Sequence, residues 1–315
     1  MESKGRDTDF IEGAWKMRKP HERFFPGLTE EQHGTWKGSF YFILAADPQL
    51  GLIDGWNGVP PEKVTWDKEI ELTNKAIDCI NRLIPRPKFV AICGDLVDAA
   101  PGTEKHRLQI KDLVKCLDRL ESDIPLVCLP GNHDIGNAPT QETIQEYTEN
   151  FGDDYYSFIF GGTHFIVVNN QFYKDASNVP HSLQHHENWL SDQLQIAKSR
   201  KYKHCIMLQH IPWFHDDPDE AEDYFNIEPE KRRGLLKRFK EANIFHAFAG
   251  HYHRNAGGKD GDFEMTVTSA IGCQIGDDLS GMRIVRVFED KIDHKYYDFD
   301  NFPQNVPLEE NSNLP

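Results

Sequence analysis

With 315 residues, 38% of them hydrophobic and 27% charged, the chain can bury one large core and is too apolar to be disordered. Its 35 Lys and Arg stand against 51 Asp and Glu, a net charge of −16 with no basic stripe, which excludes nucleic acid as a main partner. The stretch Met1 to Asp7 carries no apolar signal core, and no later run is long and apolar enough to span a bilayer, so no membrane role is expected.

Residues 1–38 read as an extension packed on the domain that follows. Trp15, Phe24, Phe25, Pro26 and Trp36 are set there among charges, and packing accounts for them better than a rim around a substrate. Residues 40–45 form a short apolar strand that runs into Asp47-Pro48-Gln49, and Trp56-Asn57-Gly58 then mark a turn-rich loop. Apolar residues at Ile70, Ala76, Ile77 and Ile80 predict an amphipathic helix over 69–84, ended before Pro85. Residues 89–93, β-branched and bounded by Pro87 and Gly94, form a buried strand that stops at Gly94-Asp95-Leu96-Val97-Asp98. Thr103 caps a second helix through Leu120, and the strand 125–129 delivers Pro130-Gly131-Asn132-His133-Asp134. Strand, helix, strand, helix, strand implies parallel strands with right-handed crossovers, so Asp47, Asp95 and Asn132 arrive at one edge.

Antiparallel strands begin where 155–160 and 164–169 flank Gly161-Gly162, a hairpin signal. A helix capped by Ser182 runs to about Lys198, the strand 204–209 leads to His210, and the strand 244–249 leads to Gly250-His251-Tyr252-His253. Between them, Asp216-Asp217-Pro218-Asp219-Glu220-Ala221-Glu222-Asp223 reads as a solvated loop. Its place just beyond His210 also fits an electrostatic filter that favours phosphate set among basic residues. Strands over 263–269, 283–288 and 291–299 complete a domain spanning 39–301, and 302–315 is a polar, loose tail. The six cysteines fall in predicted strands (Cys93, Cys128, Cys205), helices (Cys79, Cys116) and a glycine-rich turn (Cys273) without any Cys-x-x-Cys pair. Buried free thiols in a reducing compartment, the cytoplasm, are the simplest account.

Five strand ends thus carry carboxylate, amide or imidazole, the donors that divalent metals use. Singly each has a bland reading: Asp47 before Pro48 as a turn former, His210 as a core histidine, Asp98 as a helix cap, His133 as packing. Together they favour a metal centre. If two cations share the site, a bridging carboxylate is needed, and Asp95 is the central one.

The ordered set Asp47-x-Gln49, Gly94-Asp95-x-x-Asp98, Gly131-Asn132-His133-Asp134, His210 and Gly250-His251-x-His253 resembles that of the calcineurin-like metallophosphoesterases over nearly the whole chain. The resemblance implies an α/β fold of two packed mixed sheets flanked by helices, an α/β/β/α sandwich. It implies two divalent or trivalent metal ions, Mn, Fe, Zn or Mg. Asp47, Gln49, Asp95 and His253 would hold one; Asp95, Asn132, His210 and His251 the other. His133, oriented by Asp98, would be the general acid, with Asn132, His133 and Arg254 facing the substrate. The implied reaction is phosphomonoester hydrolysis by a metal-bridging hydroxide, on phosphoserine or phosphothreonine of a protein, by a monomer.

Two positions depart from the family pattern. Gln49 stands where many members have His, and Ala99 stands where the calcineurin core group has a phosphate-gripping Arg; Arg254 is the candidate replacement. A nucleotide or small-molecule phosphodiesterase is the alternative, with Trp56, Trp213 and Phe214 as candidates for a base pocket that could equally be structural. A non-catalytic scaffold is a further alternative, and it would require eroded histidines, whereas His133, His210, His251 and His253 all stand.

Overall fold

In the computed structural model, which describes residues 18–310 and 312–315, eleven strands build two sheets. They are β1 (Phe40–Ala45), β2 (Val90–Cys93), β3 (Leu126–Leu129), β4 (Tyr156–Phe160), β5 (Thr163–Val167), β6 (His204–Leu208), β7 (His246–Ala249), β8 (Ala256–Asp260), β9 (Phe263–Val267), β10 (Gly281–Val287) and β11 (Ile292–Asp298). One sheet has the order β11-β10-β1-β2-β3, with β1, β2 and β3 parallel; the other has the order β4-β5-β6-β7-β9-β8, with β5, β6, β7 and β9 parallel. The βαβ pattern requires the parallel strands, and antiparallel strands close one side of the first sheet and both edges of the second.

Strand periodicity accounts for the layers. All six residues of β1 are buried because both faces are covered. Tyr41, Ile43 and Ala45 pack with Ala76, Ile77 and Ile80 of the helix Asp67–Asn81 and Ile110 and Leu113 of the helix Glu104–Leu117. Phe40, Phe42 and Leu44 point the other way, into a core shared with Phe165, Leu208 and Phe248 of the second sheet. Phe42 stacks on Phe89 at 4.6 Å, and Phe158 stacks on Phe165 at 4.7 Å. Helices Pro180–Lys198 and Pro229–Glu241 cover the far face of the second sheet through Leu190, Leu194, Leu235 and Phe239. The architecture is the expected helix–sheet–sheet–helix sandwich.

Several local expectations shift. The helix foreseen over 69–84 starts at Asp67 and ends at Asn81, and the helix expected from Ser182 begins at Pro180, where proline's missing N–H costs nothing in the first turn. Thr103 does cap its helix, accepting from the His106 N–H. Trp56 closes a short helix, Leu52–Trp56, instead of lying in a loop. β8 is a strand that Ala256-Gly257-Gly258-Lys259-Asp260 does not announce, since it lacks β-branched residues; pairing to β9 imposes it.

Both ends of the described part of the chain are docked. Trp15 lies outside the described residues, but Phe25 is fully buried against Tyr156 and Phe158, and backbone bonds from Ser157 to Arg23 and from Ile159 to Leu28 bind this segment to β4. The C-terminal segment is not loose. Arg286, buried in β10, cannot be left without acceptors; besides Asp293 it donates to the Pro307 carbonyl at 2.8 Å and to the Ser312 carbonyl at 2.9 Å and hydroxyl at 3.0 Å. Val306 is buried beside Ile84, whose N–H donates to the Gln304 carbonyl. Deleting residues 302–315 is therefore expected to destabilise the domain by at least about 2 kcal/mol, since hydrogen bonds to charged groups contribute about 1.5–3 kcal/mol. That is a fall of at least about 3 °C in Tm for a chain of this size. An unchanged melting curve would show that the segment contributes nothing.

Candidate metal centre

The C-terminal ends of β1, β2 and β3 from one sheet, and of β6 and β7 from the other, meet at one edge of the sandwich, where open α/β sheets collect ligands. Asp47, Gln49, Asp95, Asn132, His210, His251 and His253 are all buried there. Their side chains form two groups. Donor atoms of Asp95, His210 and His251 lie within 4.8 Å of one another, and so do those of Asp47, Asp95 and His253. Asp95 belongs to both.

The backbone is bent to bring them together. Asp47, Gln49, Asp95, His251 and His253 all have positive φ, between 36° and 68°, a conformation that costs non-glycine residues of order 1–3 kcal/mol each. Close loop packing enforces it. Asp47 and Gln49 donate their N–H groups to the carbonyls of Gly94 and Asp95, and Gly250 donates to that of His210. A Cβ on Gly131 would lie 2.1 Å from Asp95 Oδ1, and one on Gly94 (φ +76°) 2.6 Å from both Gly131 N and His210 Nδ1, so neither position accepts a side chain. Asp134 ties the same loops by accepting from Leu96 N at 2.9 Å and Gly131 N at 2.7 Å; burial and the Asp95 charge push its carboxyl up to about 7. Glu69, buried in its helix, accepts from Gly51 N and Ile53 N and holds the turn after Gln49.

Main-chain carbonyls decide how the imidazoles face. A carbonyl can only accept, so the nitrogen it touches carries the proton and the other offers a lone pair. His210 Nδ1 lies 2.7 Å from the Cys93 carbonyl, His253 Nδ1 2.6 Å from that of Cys273, and His251 Nε2 3.2 Å from that of Tyr224. The free nitrogens turn inward. His210 Nε2 is 3.1 Å from His251 Nδ1, 3.1 Å from Asn132 Oδ1 and 3.2 Å from Asp95 Oδ2. His253 Nε2 is 3.5 Å from Asp47 Oδ1. Four atoms thus converge in the first group with at most one proton, on His210 Nε2, to share among them.

A cation fits such a set. Burial disfavours a charged His210, yet Asp95 overrides it and lifts the imidazole to about 9; His251 is driven well below its usual range by burial and by His210, so its lone pair stays available. Asp95 stays ionised against its burial because His210 and His133 hold it well below the ordinary carboxylate range. One proton can serve only part of this set, whereas a metal ion serves all four atoms. Gln49 adds an independent sign: its Oε1 is buried with no hydrogen-bond partner among the described residues, while its Nε2 donates to Asp98 Oδ1 at 3.3 Å. An orphaned amide oxygen on the loop that carries Asp47 fits a ligand position.

His133 stands at the mouth, its side chain 30% exposed, with its N–H donating to Asp95 Oδ1 at 2.9 Å. Its Nδ1 meets the Asp98 main-chain carbonyl at 2.9 Å and the Asp98 carboxylate at 3.4 Å, so the orienting acceptor is chiefly the backbone. Burial lowers the proton affinity of His133, but Asp95 and Asp98 more than offset it and raise it. Arg254 lies one residue past His253, donating to the Tyr252 hydroxyl and the Ile275 carbonyl with its guanidinium over the Tyr252 ring; no carboxylate pairs with it among the described residues.

Tyr224, Phe225, Tyr252 and His215 wall the site, and no sequence motif marked them. Tyr224 and Phe225 pack on His251 at 5.0 and 5.4 Å, and His215 stacks on Tyr252 at 4.6 Å. Trp213 and Phe214, by contrast, are fully buried in the core, leaving Trp56 as the exposed member of the three base-pocket candidates. In the acidic run, Glu220 is no free charge: it accepts from the N–H groups of His215, Asp216 and Asp217 and faces buried Arg232.

Residues 42–255 match the sequence profile of the calcineurin-like phosphoesterases. The proteins named serine/threonine-protein phosphatase CPPED1 from Danio rerio and Homo sapiens are both 46% identical to this chain. The first match covers 90% of this chain and 92% of that protein, the second 93% and 94%. Among solved structures, a dimetal phosphatase from Danio rerio superposes with a TM-score of 0.61 at 14% identity, covering 84% of this chain and 97% of that one. Purple acid phosphatase PPD1 from yellow lupin gives 0.60 at 13% identity, covering 86% and 53%.

Gln49 offers an amide oxygen, a weaker donor than imidazole for zinc or iron. Gln49→Ala is therefore expected to weaken one metal site at least about tenfold and leave the other unchanged. Chelator-competition titration of the purified protein reads both constants. Unaltered affinities would remove Gln49 from the ligand set.

Proposed function

The chain belongs to the calcineurin-like phosphoesterase family, and from that premise we propose that it is a metal-dependent phosphomonoesterase acting on phosphoserine or phosphothreonine in proteins. The observation that carries this reading is the pair of buried donor groups sharing Asp95. In this reading Asp47, Gln49, Asp95 and His253 would hold one cation, and Asp95, Asn132, His210 and His251 the other. When bound, such cations supply positive charge for the phosphoryl oxygens and acidify coordinated water. Mn, Fe, Zn and Mg all suit donor sets of this mixed nitrogen and oxygen character.

The chain's own residues supply the rest. His133, with Nδ1 committed to Asp98, keeps Nε2 to carry a proton to the leaving serine or threonine oxygen. Its raised proton affinity suits a general acid, and its partial exposure lets a bulky phosphopeptide reach it. Arg254, lacking a carboxylate partner among the described residues, takes the phosphate-contacting role that Ala99 leaves open. Asn132 and His133 flank the same phosphate.

The names of the CPPED1 relatives support the protein substrate. A nucleotide phosphodiesterase is disfavoured because Trp213 and Phe214 are core residues. A bare scaffold is disfavoured because its histidines are not eroded. Six buried free thiols favour a reducing, cytoplasmic setting, and no helix among the described residues is long and apolar enough to cross a membrane. We take the working form to be a monomer that does not bind nucleic acid.

Metal analysis of the purified protein, then turnover of a phosphoserine peptide against a phosphodiester, tests the reading. Two ions per chain and a strong preference for the monoester are expected; faster diester cleavage would overturn it. His133→Asn should lower kcat by roughly 10²–10⁴ while metal content stays at the wild-type level. The loss should shrink for p-nitrophenyl phosphate, whose leaving group needs little protonation. Loss of metal in this variant would make His133 a ligand instead of the acid.

A further inference from the structure

Tyr224 lies outside every motif of the family pattern, yet it touches two of the candidate ligands at once. Its hydroxyl accepts from Asn132 Nδ2 at 2.9 Å, and its main-chain carbonyl accepts from His251 Nε2 at 3.2 Å. Both contacts set direction. An amide has two ends of nearly equal shape; with Nδ2 held by Tyr224, Oδ1 is the end that faces His210. With the His251 proton on the Tyr224 carbonyl, Nδ1 is the nitrogen that faces the same point.

The loop carrying Tyr224 is itself built on polar anchors. Arg232, wholly buried in the helix Pro229–Glu241, donates to the carbonyls of Glu220 and Ile227. Asn226 joins Glu220 to Asp223 through bonds of 2.7 and 3.0 Å, and Lys174 Nζ holds the carbonyls of Asp223 and Asn226. Tyr224 is thereby fixed at its main chain while remaining 49% exposed. It reaches the centre from the solvent side.

We propose that Tyr224 is a positioning residue for the cation held by Asp95, Asn132, His210 and His251, orienting the Asn132 amide through its hydroxyl and the His251 ring through its carbonyl. The proposal rests on the two-cation reading given above. Without the hydroxyl, the Asn132 amide is free to rotate and present its NH₂ group, which repels a cation. Outer-shell partners of this kind typically change metal affinity by about 10–100-fold. Among the described residues no hydrogen bond or ring contact joins Tyr224 to Asp47, Gln49 or His253, so that side should not respond.

The test uses metal-stripped full-length protein titrated with Mn²⁺, and separately with Zn²⁺, against a chromophoric chelator. Wild type should show two sites. Tyr224→Phe, which keeps the ring and the carbonyl, should weaken one site by about 10–100-fold and leave the other as it was. In an Asn132→Ala background the same change should add nothing, because the group it acts through is gone. Two undiminished sites in Tyr224→Phe, equal loss at both, or full additivity in the double variant would each overturn the proposal. Melting of the stripped proteins separates a folding defect from a positioning one: a lower Tm with both affinities intact also overturns it. Fewer than two sites in wild type would refute the two-cation reading itself, and this inference with it.

Discussion

Three acceptor atoms stand 3.1–3.2 Å from His210 Nε2 with at most one proton to share among the four, and the surrounding structure holds them together against their repulsion. Each would move apart if free to do so. The backbone carbonyls of Cys93, Cys273 and Tyr224 lock the rings, strained turns aim the carboxylates, and Gly94 and Gly131 let two loops touch. Buried Asp134 and Glu69 then fasten those loops from behind. The strain is retained because the packing over-determines it, which is the usual mark of a functional site.

That arrangement needs two sheets. Asp47, Asp95 and Asn132 come from the first, His210, His251 and His253 from the second, and only face-to-face packing brings them within reach. The aromatic layer of Phe42, Phe89, Phe158 and Phe165 sets that spacing. A change deep in this layer would thus be felt at the metal ligands, since close-packed interiors transmit displacement instead of absorbing it.

The surface around the centre is asymmetric. One side is the half-exposed aromatic wall of Tyr224, Phe225 and Tyr252 with Arg254 beside it; the other is His133 at the mouth. The acidic run that forms the base of the wall has its central carboxylate, Glu220, committed to backbone N–H groups, so its charge serves loop structure before it can act on a ligand. Family membership supports phosphoester chemistry.

The resemblance carried by the ordered motifs implied the sandwich; the sequence by itself determined the parallel strand pattern and the grouping of donors at strand ends. It could do so because a buried parallel strand is a local apolar run, and the residue after it is carried to the sheet edge by the strand alone. The motif spacing also marked Gln49 and Ala99 as departures. What only the tertiary structure decided were contacts made through the main chain or through burial. Tyr224 acts partly through a carbonyl that every residue possesses, on a loop without periodicity, so nothing in its letter distinguished it. Trp213 and Phe214 read equally as pocket or core until the helix Pro229–Glu241 covered them. Orientation of His133 fell mostly to a carbonyl of Asp98 instead of its carboxylate. β8 and the C-terminal segment are ordered by partners, β9 and Arg286, that lie apart in the chain and leave no local signal. Local runs are legible because their physics is local; the rest waited on which groups the fold would bury together.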